Sequence, residues 1–371
     1  MEPSINNKAG YWRYDATRVL QWQWAKGLPS GLKGHLFETY GSGREALFAL
    51  AKRWAATGNN TIFLPAFLPE GVEQPFREAG WTVVYYDLQA HKTTPDWEQL
   101  EALAHRHPPQ AALLIHYFGI PQDAQQFKSL LPNATIIEDW AHSYPTPKLM
   151  DTISPENWWL FSPNKLGGLL DGAWLGGSKP APVMKRKTSS LQNAYLFWRC
   201  IYLIGVSIYY RLPFRWRFLR RVAEAAYVRS YYRLLELTRQ PHPVSRLGQW
   251  VLHHFPHEPM IEKRMAQAQL YHQLLNLGPG ARLIQQLPDH PLIGYPLWIE
   301  DRTAFQQHLG EHGIKGTAFT DRWWFLDEEQ TAHFPEAKAL FDHHCLLPIN
   351  DRLSRMDIER IIEVVNTYTA V

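Results

Sequence analysis

"TIFLPAFLPEGVEQPFREAGWTVVYYDL", residues 61–88, places two apolar runs on either side of a polar stretch. The outer runs, TIFLPAF and WTVVYYDL, are short, rich in β-branched and aromatic residues, and bounded by Pro or Gly, so both read as strands. PEGVEQPFREAG between them reads as a helix. Neither strand alternates apolar with polar, as expected of strands covered on both faces. The pattern recurs outward from this unit. AALLIHYFG (111–119), TIIEDWAH (135–142) and WWLFS (158–162) read as further strands, and DWEQLEALAHRH (96–107) as a helix. Upstream, REALFALAKRWAA (44–56) has helical spacing, with Leu47, Leu50 and Ala51 on one side. Alternating strands and helices predict an α/β fold around a mostly parallel sheet.

The chain has 371 residues, 45% of them hydrophobic and 20% charged, enough for two domains with sizeable cores. We expect a large domain over 1–240 and a smaller C-terminal α+β domain over 241–371, entered through the helix IEKRMAQAQLYHQLL (261–275). That second part reads as strand, helix (RTAFQQHLGEHG, 302–313) and a last helix, where Ser354 and Asp357 form a capping-type start. Two cysteines, Cys200 and Cys345, exclude a disulfide framework and fit a reducing compartment. The N-terminal MEPSINNKAGYWRYD has no apolar core behind a basic start, and no 18-residue uncharged apolar run occurs. A cytoplasmic location follows as the expectation. His253, His254 and His257, or His343 and His344, offer no clean tetrahedral set, so no metal is expected.

Three features at strand ends can carry chemistry, since ligands of open α/β sheets sit beyond the carboxyl ends of the strands. Gly41 and Gly43 bracket Ser42 before a helix, an arrangement that can close backbone N–H groups on a phosphate, with Arg44 adding charge. Asp139 ends an apolar strand three residues before His142; a carboxylate there can hold a protonated ring nitrogen. Lys165 stands in LFSPNKLGGLLDGAWLGG (160–177), whose one other charge is Asp171. Desolvated among Phe161, Leu166, Leu169 and Leu170, that lysine would be a nucleophile toward a carbonyl. Ser162 could bind a phosphate beside it, and Gly167, Gly168 and Gly172 would admit a planar ligand. Each feature alone also reads as ordinary structure: a helix-starting turn, a capping Asp, a loop lysine. Taken together they are what pyridoxal phosphate requires.

These residues resemble the DegT/StrS-type aminotransferases, fold-type-I pyridoxal phosphate enzymes that aminate keto-sugars. SGREAL (42–47) resembles the family's SGTxAL, IHYFGIP (115–121) its VHxYGxP, and IIEDWAHS (136–143) its VIEDxAHA. FSPNKLGGLLDGAWLGG (161–177) resembles SFxxxKxxxxGEGG, and LLPINDRLSRMDIERIIEVV (346–365) the family's ending. The resemblance implies a seven-stranded sheet covered by helices, a smaller α+β domain, and a homodimer with sites at the subunit interface. It implies Lys165 as the Schiff-base lysine, Asp139 on the pyridine nitrogen and His142 near the ring hydroxyl. Ser42, Gly43, Arg44 and Ser162 would hold the phosphate. A related dehydratase branch has histidine at the lysine position; lysine here favours transamination. Pro69 replaces the usual ring-stacking aromatic, Arg44 the Thr of SGT, and Ser162 precedes the lysine by three residues rather than five. GIKGTAFTDRWWFLDEE (313–329) departs from the sugar-nucleotide pattern. The expected activity is therefore an aminotransferase acting on an amino-acid donor and a keto acceptor, a nucleotide- or lipid-linked keto-sugar. Another fold-type-I reaction, or a cofactor-less membrane-associated partner protein, are the other readings.

Residues 183–236 have no counterpart in that pattern. Of the chain's 38 Lys and Arg and 35 acids, eleven basic residues and one acid, Glu224, fall between 185 and 233, so the rest of the chain is net acidic. Arginines interleaved with Tyr, Trp and Phe suit a helix at an anionic membrane surface, which would place the protein at the inner face of the membrane. They equally suit an insertion packed on the protein's own core or a dimer contact. No nucleic-acid fold accompanies the charge, so nucleic acid is not an expected partner.

Overall fold

The computed structural model describes residues 27–55, 60–167, 169–177, 189–211, 217–237, 241–319 and 331–368. The unit 61–88 is strand, helix, strand: β2 (Thr61–Pro65), α2 (Glu70–Glu78) and β3 (Thr82–Tyr86), with β2 and β3 parallel and in register from Thr61–Thr82 to Pro65–Tyr86. Around it are β1 (Phe37–Tyr40), α1 (Gly43–Ala55), α3 (Trp97–Arg106), β4 (Ala111–Ile115) and α4 (Ala124–Leu130). Next come β5 (Thr135–Asp139), α5 (Pro147–Met150), β6 (Trp158–Phe161), α6 (Pro163–Gly167) and β7 (Ala173–Gly176). The seven strands form one sheet in the order β1-β7-β6-β5-β4-β2-β3. The run from β6 to β3 is parallel, and β7 is antiparallel to both its neighbours.

Burial follows the apolar patterning. Phe63, Leu114 and Ile136 pack on one side of the sheet with Leu100 of α3 and Phe127 of α4. Ile62, Leu64, Leu113 and Ile137 face the main core on the other side. Over β2, β4 and β5 both sides are thus dry, as continuous apolar runs demand, whereas β3 at the sheet edge is buried only at Tyr86. Helix starts are fixed by side chains: Asp96 accepts the Gln99 amide (3.1 Å) and Asp123 the Gln126 amide (2.8 Å).

The basic insertion is helical where described. α7 (Ser190–Arg211) and α8 (Arg217–Leu237) run antiparallel as a hairpin; Tyr202 lies 5.2 Å from Tyr227, and the Arg229 guanidinium 4.5 Å over Trp198. Tyr195, Leu203, Val206 and Ala226 are buried in the main core, so the inner side of the hairpin packs on the protein itself. Residues 183–188 and 212–216 of the insertion lie outside the described residues. No described helix is long and apolar enough to cross a membrane.

After the hairpin come α9 (Arg246–His254), α10 (His257–Leu274), β8 (Ala281–Leu283), β9 (Tyr295–Ile299), α11 (Arg302–Glu311), α12 (Pro335–His343), β10 (His344–Leu347) and α13 (Arg355–Asn366). The last three strands form an antiparallel sheet, β10-β9-β8, with a core of its own around Tyr271, Leu297, Phe305 and Ile361. α13 begins with the expected reciprocal cap between Ser354 and Asp357. Arg264 of α10 ties this part to the large sheet: it is buried and donates to the carbonyls of Leu166 and Leu292, each at 3.0 Å.

Candidate active site

Beyond the carboxyl ends of β5 and β6 lies a cavity of about 370 Å³. Ser42, Gly43, Arg44, Asp139, His142, Ser162 and Lys165 all line it. Every residue singled out for the cofactor therefore meets in one place, although together they span 124 positions of sequence.

Asp139 is the last residue of β5, fully enclosed, with Oδ1 accepting the Ala141 amide at 2.8 Å. Burial raises its carboxyl above the usual range, and the nearby Lys165 cation, the Ala141 amide and His116 pull it back. His142 receives the Phe118 amide on Nδ1 (3.1 Å), and its ring stands beside those of Phe118 (6.3 Å) and Phe319 (5.1 Å). Burial, and then the positive charge of Lys165, hold its pKa well below 6.5. The ring is neutral, and with Nδ1 accepting, its proton is on Nε2. Phe118 sits at φ 60° and Gly119 at φ 96°; a Cβ on Gly119 would approach the His142 carbonyl to 3.0 Å, so only glycine fits the IHYFG turn that aligns this histidine.

Lys165 projects from α6, a single turn after β6. It is half-buried, while Phe161, Leu166, Leu169 and Leu170 are in the core. The expected envelope of those four apolar residues is thus corrected: they face the interior and the lysine faces the cavity. The glycines beside it are corrected too. A Cβ on Gly167 would meet Phe255 and one on Gly172 would meet Leu252, both at 3.1 Å, so both admit packing from α9 and the chain just after it rather than a planar ligand. Gly168 lies outside the described residues.

Ser42 caps α1, its Oγ accepting the Glu45 amide (3.3 Å) and donating to the Glu45 carboxylate (3.0 Å). A Cβ at Gly43 would come 3.1 Å from Ser162 Oγ, so a side chain there would fill the space between α1 and Ser162. Arg44 carries a buried Nη1 with no hydrogen-bond partner. A helix N-terminus, a glycine-kept space, a serine hydroxyl and a guanidinium with one unpartnered nitrogen together suit a phosphate. The enclosed Asp139 carboxylate suits a cationic ring nitrogen, and Lys165 a carbonyl. Pyridoxal phosphate fits this donor set.

Several lining residues carried no signal in the sequence. Tyr117 and Phe319 line the cavity, and the hairpin supplies Tyr195, Arg199, Ser230 and Tyr231. Pro69 and Val72 form the wall where the resemblance expects a ring-stacking aromatic. The histidine clusters are used structurally: His257 joins the Tyr144 hydroxyl and the Leu252 carbonyl (both 2.7 Å), and His344 accepts the Phe319 amide (2.7 Å). The segment 320–329, part of the stretch that departs from the sugar-nucleotide pattern, lies outside the described residues.

Residues 247–366 match the DegT/DnrJ/EryC1/StrS aminotransferase family. The match falls on the part of the chain that carries the capped last helix and the antiparallel sheet. Among solved structures, the chain shares its fold with AtS13 of Actinomadura melliaura (18% identity, TM-score 0.61, 98% of this chain and 93% of that one). Spr1654 of Streptococcus pneumoniae, solved in a PLP-form, aligns over 95% of both chains at 15% identity and TM-score 0.63. The sugar aminotransferase CalS13 of Micromonospora echinospora aligns over 95% of this chain and 96% of that one at 15% identity and TM-score 0.60. No match was found among curated proteins. The chain shares its fold with these structures and matches the family model over its last third.

Proposed function

We propose that the protein is a pyridoxal phosphate-dependent aminotransferase that passes an amino group from an amino-acid donor to a keto-sugar, nucleotide- or lipid-linked, and works as a homodimer. One observation carries the reading: Lys165, Asp139 and His142 share a single cavity with the α1 N-terminus and Ser162. The sugar acceptor rests on the family match and on the fold shared with CalS13; the dimer rests only on what the resemblance of the sequence motifs implies.

Bound there, pyridoxal phosphate supplies an electron sink that acidifies the α-C–H bond of an amino donor. Lys165 would hold the cofactor through its carbonyl carbon; once released, its amine takes the donor's α-proton as a general base. Asp139 accepts from the protonated pyridine nitrogen and keeps that proton in place. His142, neutral and with Nδ1 engaged by Phe118, offers Nε2–H to the ring oxygen. Ser42, Gly43, Arg44 and Ser162 hold the phosphate. Visible absorption tests the assignment: after addition of pyridoxal phosphate and desalting, the wild type should keep a yellow band that borohydride bleaches. Lys165→Ala should lose both that band and turnover while keeping its circular dichroism. A folded, active Lys165→Ala variant would overturn the assignment.

A further inference from the structure

The α7–α8 hairpin has two unlike sides. Inward, it lends Tyr195, Arg199 and Tyr231 to the cavity and Leu203 and Val206 to the core. Outward, α7 shows solvent Phe197 (59% exposed), Ile204 (52%) and Ile208. These residues, seven and four apart, lie along one side of a helix. Between Ser190 and Ile208 the sole charged residue is Arg199, which is buried, so the outer side of α7 carries no charge over that length and is apolar at Phe197, Ile204 and Ile208. α8 adds exposed Phe218 (70%), Val228 and Tyr232, set among exposed Arg220, Arg221, Arg229 and Arg233. Arg220 and Arg233 pair with Glu224 and Glu236 (2.7 Å each) and Arg229 lies over Trp198, so the four arginines outnumber the two acids and leave this surface net basic. Scattered exposed apolar residues are ordinary, but six on one basic hairpin form a surface that calls for a partner.

Charge selects that partner. A second copy would bring two arginine-rich α8 surfaces together, whereas phosphate-bearing lipid headgroups complement them. Neither helix can cross a bilayer, so the contact is with its surface. We propose that the outer side of the α7–α8 hairpin docks on an anionic lipid surface, with Phe197, Ile204 and Phe218 entering the interface and the α8 arginines meeting the headgroups. This contact is independent of the chemistry proposed for the cavity, so either can fail without the other.

Flotation of the full chain with phosphatidylcholine vesicles, with and without phosphatidylglycerol, tests the docking. The protein should rise with the anionic vesicles and be released at high salt. Phe197→Asp combined with Ile204→Asp should weaken association at least about tenfold, since two apolar side chains no longer leave water. Both positions are exposed, so melting temperature and oligomeric state should match the wild type. The proposal is overturned if the wild type stays at the bottom, if it floats equally with neutral vesicles, or if the double variant floats as well as the wild type. It is also overturned if the double variant splits a wild-type dimer in sedimentation, which would make this side a contact between copies.

Discussion

Asp171, the second charge in the lysine stretch, has no role in the cofactor reading, yet its position is exacting. Its Oδ2 accepts the Ser245 amide at 2.9 Å, its Oδ1 has no hydrogen-bond partner, and burial pushes its carboxyl up to about 6. The Ser245 amide and hydroxyl and the Arg199 charge oppose that rise, while Glu45 adds to it. An acid with a folded pKa above its unfolded one holds its proton more tightly when folded. Stability is therefore lost as pH rises from about 4 to 6, and the cost persists above that. Asp171→Asn keeps an oxygen for Ser245 without the charge. It should raise stability at pH 8 by roughly 1–3 kcal/mol, with the gain vanishing near pH 4. Chemical denaturation at the two pH values checks this; an equal loss at both would mean that Asn cannot take the place. The meeting of Lys165 and Asp139 in one cavity was legible because their residue types and flanking motifs single them out at strand ends. Arg199 and Tyr231 were not, because only packing decides which side of a helix meets a cavity.

Among the elements, legibility tracked length and patterning. The strands β2 to β6 read from the sequence because apolar runs bounded by turns can do little else. β7 did not, because its four residues sit in a glycine-rich run that reads as a ligand loop. Gly176 explains the composition: a Cβ there would lie 2.0 Å from the Trp159 ring on the neighbouring strand, so the glycine makes room for that indole. The insertion could be read for charge but not for placement, since both a membrane helix and a packed hairpin need an apolar side. The last helix was legible down to its first turn. Ser354 Oγ accepts the Asp357 amide (3.2 Å), and Asp357 accepts the Ser354 amide (2.8 Å). Ser354→Ala leaves the first turn of α13 short of an acceptor and should cost about 1 kcal/mol. Urea midpoints of the two proteins measure it, and an unchanged midpoint would mean that the cap carries no weight here.

At the scale of the whole molecule, elements distant in sequence converge on the cavity. α1, the ends of β5 and β6, the hairpin and the chain at Ala318–Phe319 each contribute to its wall. Arg264 spans from α10 to Leu166 and to the chain at Leu292, so the second sheet is anchored next to Lys165. A ligand that fills the cavity therefore touches several elements at once and acts as a brace between them. Binding to the folded state alone adds RT ln(1 + [L]/Kd), about 4 kcal/mol when the ligand is present at about a thousand times Kd. Pyridoxal phosphate should accordingly raise the melting temperature of the wild type by several degrees. Lys165→Ala, which keeps the residues proposed for the phosphate and the ring nitrogen but not the lysine, should show a smaller rise. Pyridoxal, which lacks the phosphate, should do less than the phosphorylated form in the wild type if Arg44 and the α1 N-terminus hold that group. Melting curves followed by intrinsic fluorescence read all three without any turnover. An identical melting temperature with and without pyridoxal phosphate would mean that the cavity does not take this cofactor.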